Sequence, residues 1–405
     1  MMKALLSLLL LAGAACGAAE VDQKLSRVIA TYDIQPCHNG LKGDFADFGK
    51  KLFDSKALSG SRDTSCSTCH IENLGFADGL PLAIGVGGEG EGSERLAHGR
   101  GAIVPRNAFT LNGRGRDGFK TFFWDGKVDS FDGNLFTPFG DDLSPGFSGP
   151  LSVAAVLPLT ERDEFLGLTG LGYENDLRRA VGDSLYQARF EALDEALVKR
   201  VIEDDQLRDA MLDAGLLELD VNLVFVANAL AEFIKSKFSC VESNWEQYLR
   251  GDSTALSEVQ KRGATLFFGK GRCAGCHSPP LFSDFRYYNL GIPQGEFGPH
   301  SRGRDLGRAG VTNLRVDRYL FRTPPLISVS HTSPYGHNGR YSSLRSIVDQ
   351  HINPVLPVLR GDIEITEKDE FSLGKIVSLI SDELSYIEIT SEAEIEALLE
   401  FLNAL

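Results

Sequence analysis

Cys66-Ser67-Thr68-Cys69-His70 and Cys273-Ala274-Gly275-Cys276-His277 repeat one five-residue pattern, once in each half of a chain of 405 residues. Cys-x-x-Cys-His is the attachment signal of c-type haem. The two thiols add to the haem vinyl groups, and the adjacent histidine becomes an axial ligand of the iron. The alternatives are a redox dithiol and a zinc knuckle, which would need further cysteine or histidine at short spacing. The pattern predicts two covalent c-type haems, attached through Cys66, Cys69, Cys273 and Cys276, with His70 and His277 as iron ligands.

The first nineteen residues have the pattern of a secretory signal peptide. Met1-Met2-Lys3 is a short basic region, and Ala4 to Ala15 is almost wholly apolar but too short to span a bilayer. Cleavage after Ala19 would remove residues 1–19 and release a soluble protein into the periplasm. A lipid anchor on Cys16 is the alternative. No later segment resembles a membrane-spanning helix.

Two cysteines remain when Cys16 and the four haem cysteines are set aside. An exported chain can form disulfides, so Cys37 and Cys240 are predicted to pair, although two unpaired buried thiols are the alternative. The formal net charge of −15 argues against nucleic acid or an anionic membrane as partner. It is more compatible with a partner protein that has a basic docking face.

The length and ordinary globular composition, with 42% hydrophobic and 24% charged residues, predict two domains. Residues 20–250 would carry the first haem and residues 251–405 the second. Internal repetition is limited to the two haem motifs. Near the C-terminus, Ser391 and Glu394 form a capping box ahead of a helix with one apolar stripe. Helical patterns and glycine-rich loops without sustained strand alternation predict a mainly α fold.

Further motifs follow each haem site. Pro105-Arg106-Asn107 and Phe123-Trp124-Asp125-Gly126-Lys127 follow the first, and Thr332-Ser333-Pro334-Tyr335-Gly336-His337-Asn338-Gly339 follows the second. In this order they resemble the bacterial dihaem cytochrome c peroxidase superfamily, which includes the MauG-type protein-oxidising enzymes. The resemblance implies two cytochrome-c-like haem domains with long loops and with the haems flanking the domain interface. It also implies a calcium ion at that interface, bound by the Asn107 side chain and the carbonyls of Thr332 and Pro334.

The resemblance makes the N-terminal haem the peroxide site, with His70 on its proximal side. Family peroxidases often have a distal histidine in the next loop, and counting along that loop reaches Val86. Valine cannot bind iron, so we expect this haem to be five-coordinate. His98 lies further along the loop and is either a substitute ligand or a surface histidine.

Peroxide cleavage needs a group that moves a proton from one peroxide oxygen to the other. Pro158-Leu159-Thr160-Glu161-Arg162-Asp163-Glu164-Phe165 fits the family context and makes Glu164 the acid–base candidate, with Glu161 in reserve. Two departures stand against this assignment. The number of residues between Trp124 and Glu164 is larger than in the family, which implies an inserted loop near 131–149. In addition, Ala154 stands where the family usually has a glutamine.

Trp124 is one of two tryptophans. In the family the equivalent residue lies between the haems and passes oxidising equivalents, whereas the alternative is an ordinary core aromatic. Trp245 has no such context and is predicted to be structural.

The second axial ligand of the second haem is inferred from an absence in the sequence. Family peroxidases use methionine there, but the three methionines are Met1, Met2 and Met211, in the signal and in the first domain. The family places this ligand fourteen residues after His337, at His351, where MauG-type enzymes have tyrosine. The resemblance thus implies a bis-histidine haem of low potential, on His277 and His351. His331 and His337 are the other candidates.

Such a haem suits an enzyme that stores oxidising equivalents as high-valent iron. The resemblance therefore implies a periplasmic oxidase that uses hydrogen peroxide to modify aromatic side chains, such as tryptophan, of a partner protein. One alternative is a cytochrome c peroxidase that takes electrons from a small cytochrome c or a cupredoxin. Another is a non-enzymatic dihaem electron carrier, which would need His98 as a ligand.

Overall fold

The computed structural model describes residues 20–38, 40, 42–97, 101–140, 143–168, 175–182, 186–295, 297–301 and 303–405. The predicted signal at 1–19, with Cys16, and also His98 lie outside these residues. The described chain is mostly helical, as predicted. No helix within it is long and apolar enough to cross a membrane.

The helices lie at 20–31, Ala46–Asp54, Cys66–Cys69, Pro150–Val156, Asp176–Val181, Tyr186–Glu203, Asp205–Asp213, Leu223–Phe238, Asn244–Leu249, Glu258–Phe268, Ala309–Thr312, Leu344–Ile352, Leu356–Leu359, Glu367–Val377 and Glu392–Leu402. Short antiparallel strands form one sheet of Thr121–Phe122, Val128–Phe131 and Asn134–Phe136, and another of Tyr287–Tyr288 and Phe321–Arg322. Asp132 and Gly133 both have positive φ between the second and third strands, as a tight hairpin turn requires. This hairpin begins the predicted inserted loop.

Each haem motif follows a helix that crosses a second helix at a glycine. Gly49 on Ala46–Asp54 lies against the backbone of Ala229, and Gly263 on Glu258–Phe268 lies against the backbone of Ala397. A Cβ atom at either glycine would collide with the facing carbonyl oxygen. The prediction that repetition is limited to the haem motifs was therefore wrong. The sequence signal is Gly-x-x-Leu-Phe, which occurs at residues 49–53 and again at 263–267.

The buried apolar side chains form two clusters. The first contains residues between Phe48 and Phe238, Met211 among them, together with Leu281 and Phe285, and the second contains Leu25 and Ile34 together with residues between Trp245 and Leu405. Trp245 is buried against Phe401 in an edge-on contact, as a structural residue would be. The division at residues 250 and 251 stays a prediction, and the helix 20–31 contributes Leu25 to the second cluster.

One helix of the second cluster has a local cause in the sequence. The capping box of Ser391 and Glu394 starts the helix Glu392–Leu402, whose apolar stripe is buried.

A disulfide joins Cys37 to Cys240, with their Cα atoms 5.7 Å apart. The disulfide links the segment after the helix 20–31 to the chain that follows the helix Leu223–Phe238.

Candidate functional site

Two cavities lie beside the two haem motifs. Cys66, Cys69 and His70 line a cavity of about 770 Å³, and the second motif lines one of about 740 Å³. Both volumes are in the range of cofactor pockets. The four motif cysteines form no disulfide, and burial raises the pKa of Cys66 and of Cys273 to about 12.

Within the described ranges, no three His, Cys, Asp or Glu residues cluster as a metal site would require. The cavities therefore fit covalent haem better than a zinc site.

The proximal histidines are held in one orientation. The Nδ1 atom of His70 lies 2.8 Å from the carbonyl oxygen of Phe76, and that of His277 lies 2.9 Å from the carbonyl oxygen of Phe282. Burial lowers the pKa of both rings to about 4, so both are neutral. With Nδ1–H donated to a carbonyl, Nε2 carries the lone pair, which is the usual arrangement of a metal-ligating histidine.

His351 has the same arrangement on the other side of the second cavity. It lies on the helix Leu344–Ile352, with Nδ1 2.7 Å from the carbonyl oxygen of Ile347, and burial lowers its pKa. Its ring centroid lies 6.3 Å from that of His277. A metal–imidazole bond is ~2 Å long, and an imidazole nitrogen lies about 1 Å from the centre of its ring. Two imidazoles bound to one metal from opposite sides would therefore have their centroids about 6 Å apart. The observed spacing agrees with the prediction that both rings bind one iron.

The other predicted ligand candidates lie in less suitable positions. His331 is exposed and does not line either described cavity. His337 does line the second cavity, but its ring stacks on Phe321 with centroids 3.6 Å apart. Met211 is buried in the first cluster and does not line either described cavity.

Glu164 lines the first cavity from a π-helical turn, Arg162–Leu166. Such turns are rare and occur often at functional sites. The backbone of Gly85 packs so closely on this turn that a Cβ atom there would collide with the carbonyl oxygen of Asp163. Burial raises the pKa of Glu164 to about 7, although the positive charge of Lys127 lowers it in part. A carboxyl group with this pKa can both accept and release a proton at neutral pH.

Glu161 also lines the first cavity, but it is already paired. Its carboxylate lies 3.0 Å from Nζ of Lys127. The ion pair holds this carboxylate against Lys127, so Glu164 is the better placed of the two to exchange a proton with peroxide. Val86, the residue at the family's distal-histidine position, is buried and does not line the described part of this cavity. The sequence did not single out His300, which does line it, with Nδ1 3.6 Å from a carboxylate oxygen of Asp305.

Trp124 lines both cavities, and its side chain is buried. Its Nε1–H donates to the carbonyl oxygen of Asn107 at 3.0 Å, and its own carbonyl accepts from the backbone N–H of Arg322 at 2.8 Å. The backbone N–H of Asn107 in turn donates to the carbonyl of His337 at 2.9 Å. Trp124 therefore lies between the two cavities, with its indole fixed by Asn107 and its backbone by Arg322.

A buried ion cluster, which sequence reasoning missed, joins the motifs. Nη1 of Arg106 lies 2.6 Å from Asp125, and its Nε and Nη2 lie 2.9 and 2.8 Å from the two carboxylate oxygens of Asp305. The guanidinium holds the pKa of both carboxyl groups below the usual range. Arg106 and Asp125 stand in motifs that the sequence did provide, but Asp305 lies in the other half of the chain.

The three predicted calcium ligands come together along the second cavity, which Asn107, Thr332 and Pro334 all line. The side-chain Nδ2 of Asn107 donates to the carbonyl oxygen of Leu80 at 2.8 Å. That bond directs the amide and leaves Oδ1 as a possible oxygen ligand. The calcium site itself stays a prediction.

Comparison with known proteins finds similar cytochrome c peroxidases and MauG proteins. The family model described as di-haem cytochrome c peroxidase matches residues 44–254. A cytochrome-c peroxidase, IdrP2, of Denitromonas iodatirespirans is 27% identical over 76% of this chain and 72% of its own length. The methylamine utilization protein MauG of Methylorubrum extorquens is 26% identical over 87% of this chain and 83% of its own length.

A solved structure has the same fold. A MauG-like protein associated with microbial copper homeostasis superposes with a TM-score of 0.61 at 23% identity, over 92% of each chain.

Proposed function

This chain belongs to the di-haem cytochrome c peroxidase family, and on that premise we propose that it uses hydrogen peroxide to oxidise aromatic side chains of a partner protein. Its relatives are haem-dependent oxidoreductases, both peroxidases and MauG proteins. The family accordingly implies two c-type haems and an enzyme. The finer choice between a protein oxidase and a cytochrome c peroxidase depends on the second cavity.

The residues present fit two haems. Cys66 and Cys69 would attach the first and His70 would bind its iron, in the cavity of an N-terminal haem domain. Cys273 and Cys276 would attach the second, in a C-terminal haem domain. The predicted export to the periplasm agrees with this chemistry, because c-type haem and the Cys37–Cys240 disulfide both suit an oxidising compartment.

The observation that carries the proposal is the His277–His351 pair. Two neutral imidazoles with centroids 6.3 Å apart, each oriented by a backbone carbonyl, favour a bis-histidine haem. Methionine would raise the potential of this haem, whereas two histidines lower it. A low-potential haem draws electrons poorly from a soluble carrier. It supports instead the withdrawal of electrons from side chains of a bound protein.

The protein's own residues have separate tasks. When bound, the haems supply the redox chemistry by which peroxide is reduced to water with two electrons and two protons. Glu164 takes a proton from one peroxide oxygen and returns it to the other, for which its pKa of about 7 is suited. Trp124 lies between the cavities, where an indole can relay electrons from the second site to the first.

The proposal is tested by electron paramagnetic resonance of the oxidised enzyme, before and after one equivalent of peroxide. One high-spin and one low-spin bis-histidine ferric haem are expected, with both signals lost on addition of peroxide. Two low-spin haems that peroxide leaves unchanged would contradict an open first haem.

The nature of the reductant needs a second assay. Mass spectrometry should find an oxidised aromatic residue in a periplasmic partner protein only when enzyme and peroxide are both present, and not with the Glu164→Gln variant. Rapid peroxide turnover with a reduced small cytochrome c or cupredoxin, without such a modification, would instead identify a cytochrome c peroxidase.

A further inference from the structure

Two buried arginines near the haem cavities lack acidic partners. Arg114 and Arg322 are 4% and 1% exposed. No carboxylate of the described chain lies within ion-pair distance of either, although the buried Arg106 has two. An unpaired charge away from water is costly, so each guanidinium requires an anion from another source.

Arg114 occupies the wall between the two cavities. Among the residues that the structure describes, five line both of them: Asn107, Ala108, Phe109, Arg114 and Trp124. Of these, only Arg114 is charged. Its Nε donates to the carbonyl oxygen of Thr110 at 2.8 Å, and its guanidinium lies 3.7 Å from the ring centroid of Phe109. These contacts fix the side chain while its two terminal nitrogens keep no partner within the described chain.

Arg322 is arranged in the same way along the second cavity. Its Nε donates to the carbonyl oxygen of Phe123 at 2.9 Å and its Nη1 to that of Thr323 at 3.1 Å, which leaves Nη2. The charge of Arg322 and burial together hold the pKa of Arg114 well below its usual range. Two like charges buried together therefore raise the need for a neutralising anion.

We propose that Arg114 and Arg322 bind the propionate carboxylates of the haems. Arg114 binds a propionate at the wall shared by both cavities, and Arg322 binds one in the second cavity. Haem carries two such carboxylates, and a guanidinium binds a carboxylate through two parallel hydrogen bonds. The two arginines are positioning residues, since they act on the orientation and charge of the cofactor. This inference rests on the proposed haem sites and is independent of the reductant.

The test compares Arg114→Gln, Arg114→Lys and Arg322→Gln with the wild type and with Arg116→Gln. Arg116 is a matched control because it lies two residues away, pairs with Glu246 at 3.3 Å and lines neither cavity. Protein mass first establishes that each variant carries two haems. A wild type without haem would overturn the proposed cofactors themselves.

The midpoint potentials of both haems are then measured by spectroelectrochemistry, and protonated carboxyl groups by infrared difference spectroscopy. Loss of a cation leaves a carboxylate unneutralised. This either stabilises the ferric state and lowers a haem potential, or raises the carboxylate's pKa until a protonated carboxyl band appears. Arg114→Gln and Arg322→Gln should each show one of these changes, Arg114→Lys should reverse most of it, and Arg116→Gln should show neither. Potentials and carboxyl bands that match Arg116→Gln in both glutamine variants would overturn the inference.

If a variant does not fold, the wild-type protein still provides a test of the proposed pairing. With ¹³C-labelled propionates, the wild-type infrared spectrum should show them ionised at neutral pH. A labelled band of a protonated carboxyl group at that pH would overturn the proposed pairing.

Discussion

His277 and His351 stand with their ring centroids 6.3 Å apart, and each has its Nδ1 within hydrogen-bond distance of a backbone carbonyl. The first ring is placed by the loop after the second haem motif, and the other by the last turn of the helix Leu344–Ile352. The proposed function depends on this pair, because two histidine ligands would give the second haem a low potential.

Replacement of His351 by methionine should raise the potential of the second haem. A thioether stabilises ferrous iron relative to imidazole, so the variant should accept electrons more readily from a reduced small cytochrome c. Spectroelectrochemistry and peroxide turnover with that donor measure the two effects. His331→Met is the control, since His331 is exposed and lines neither cavity. An equal effect of both variants would rule out His351 as the ligand.

Glu164→Gln should slow the reaction with peroxide by about 10²–10⁴-fold, which is the usual contribution of a general acid–base group. Glutamine keeps the size of the side chain but cannot carry the proton. Stopped-flow absorbance of the first haem gives the rate. Glu161→Gln is the matched control in the same turn, and it should have the smaller effect because Glu161 is paired with Lys127. The reverse order would transfer the role to Glu161.

The same rate should depend on pH. The ionised carboxylate is the form that accepts a proton, and burial raises the pKa of Glu164 to about 7. The wild-type rate should therefore rise as pH increases through about 7 and level off above it. The Glu164→Gln variant should lose this rise. A wild-type profile without a step in the neutral range would exclude Glu164 as the base.

Trp124→Phe should slow electron transfer between the two haems by about tenfold or more, equivalent to ~1.4 kcal/mol in the barrier. Phenylalanine retains an aromatic ring but is harder to oxidise and lacks the N–H that bonds to Asn107. The delay between the spectral changes of the two haems after peroxide is mixed in measures this step. Trp245→Phe should leave the delay unchanged, since Trp245 is buried in the second cluster and lines neither cavity.

Arg106→Met should lower the free energy of unfolding by about 3–5 kcal/mol, because it leaves the carboxylates of Asp125 and Asp305 buried without a counter-charge. Urea denaturation measures the loss. The guanidinium holds both carboxyl pKa values below their usual range. The stabilisation is therefore present at neutral pH and disappears as pH falls through those lowered values. Lys199→Met, which breaks an exposed ion pair with Glu203, should have little effect.

Local features were predicted well from sequence. The haem motifs, the capping box at Ser391 and the mostly helical character all depend on residues close together in the chain. The crossing of paired helices at Gly49 and Gly263 was missed, although Gly-x-x-Leu-Phe precedes both motifs. A glycine inside a helix is ambiguous until the helix that it contacts is known.

The charged residues of the site were harder to predict. Arg106 and Asp305 are separated by 199 positions, and no spacing rule connects them. Arg114 resembles any other arginine in its loop until its burial between two cavities is known. The different surroundings of Glu161 and Glu164, three residues apart, depend on the position of Lys127, which pairs with Glu161, and on the π-helical turn that contains Glu164.

The sequence alone predicts where haem would be attached, because attachment is covalent chemistry carried by five consecutive residues. It also limited the second ligand, since methionine is nearly absent. The three-dimensional arrangement was needed to show that His351 lies near His277 and that Trp124 and Arg114 line both cavities. It was also needed to show that Glu164, unlike Glu161, has no ion-pair partner among the described residues. These relationships depend on packing, which brings distant residues together and removes their charges from water.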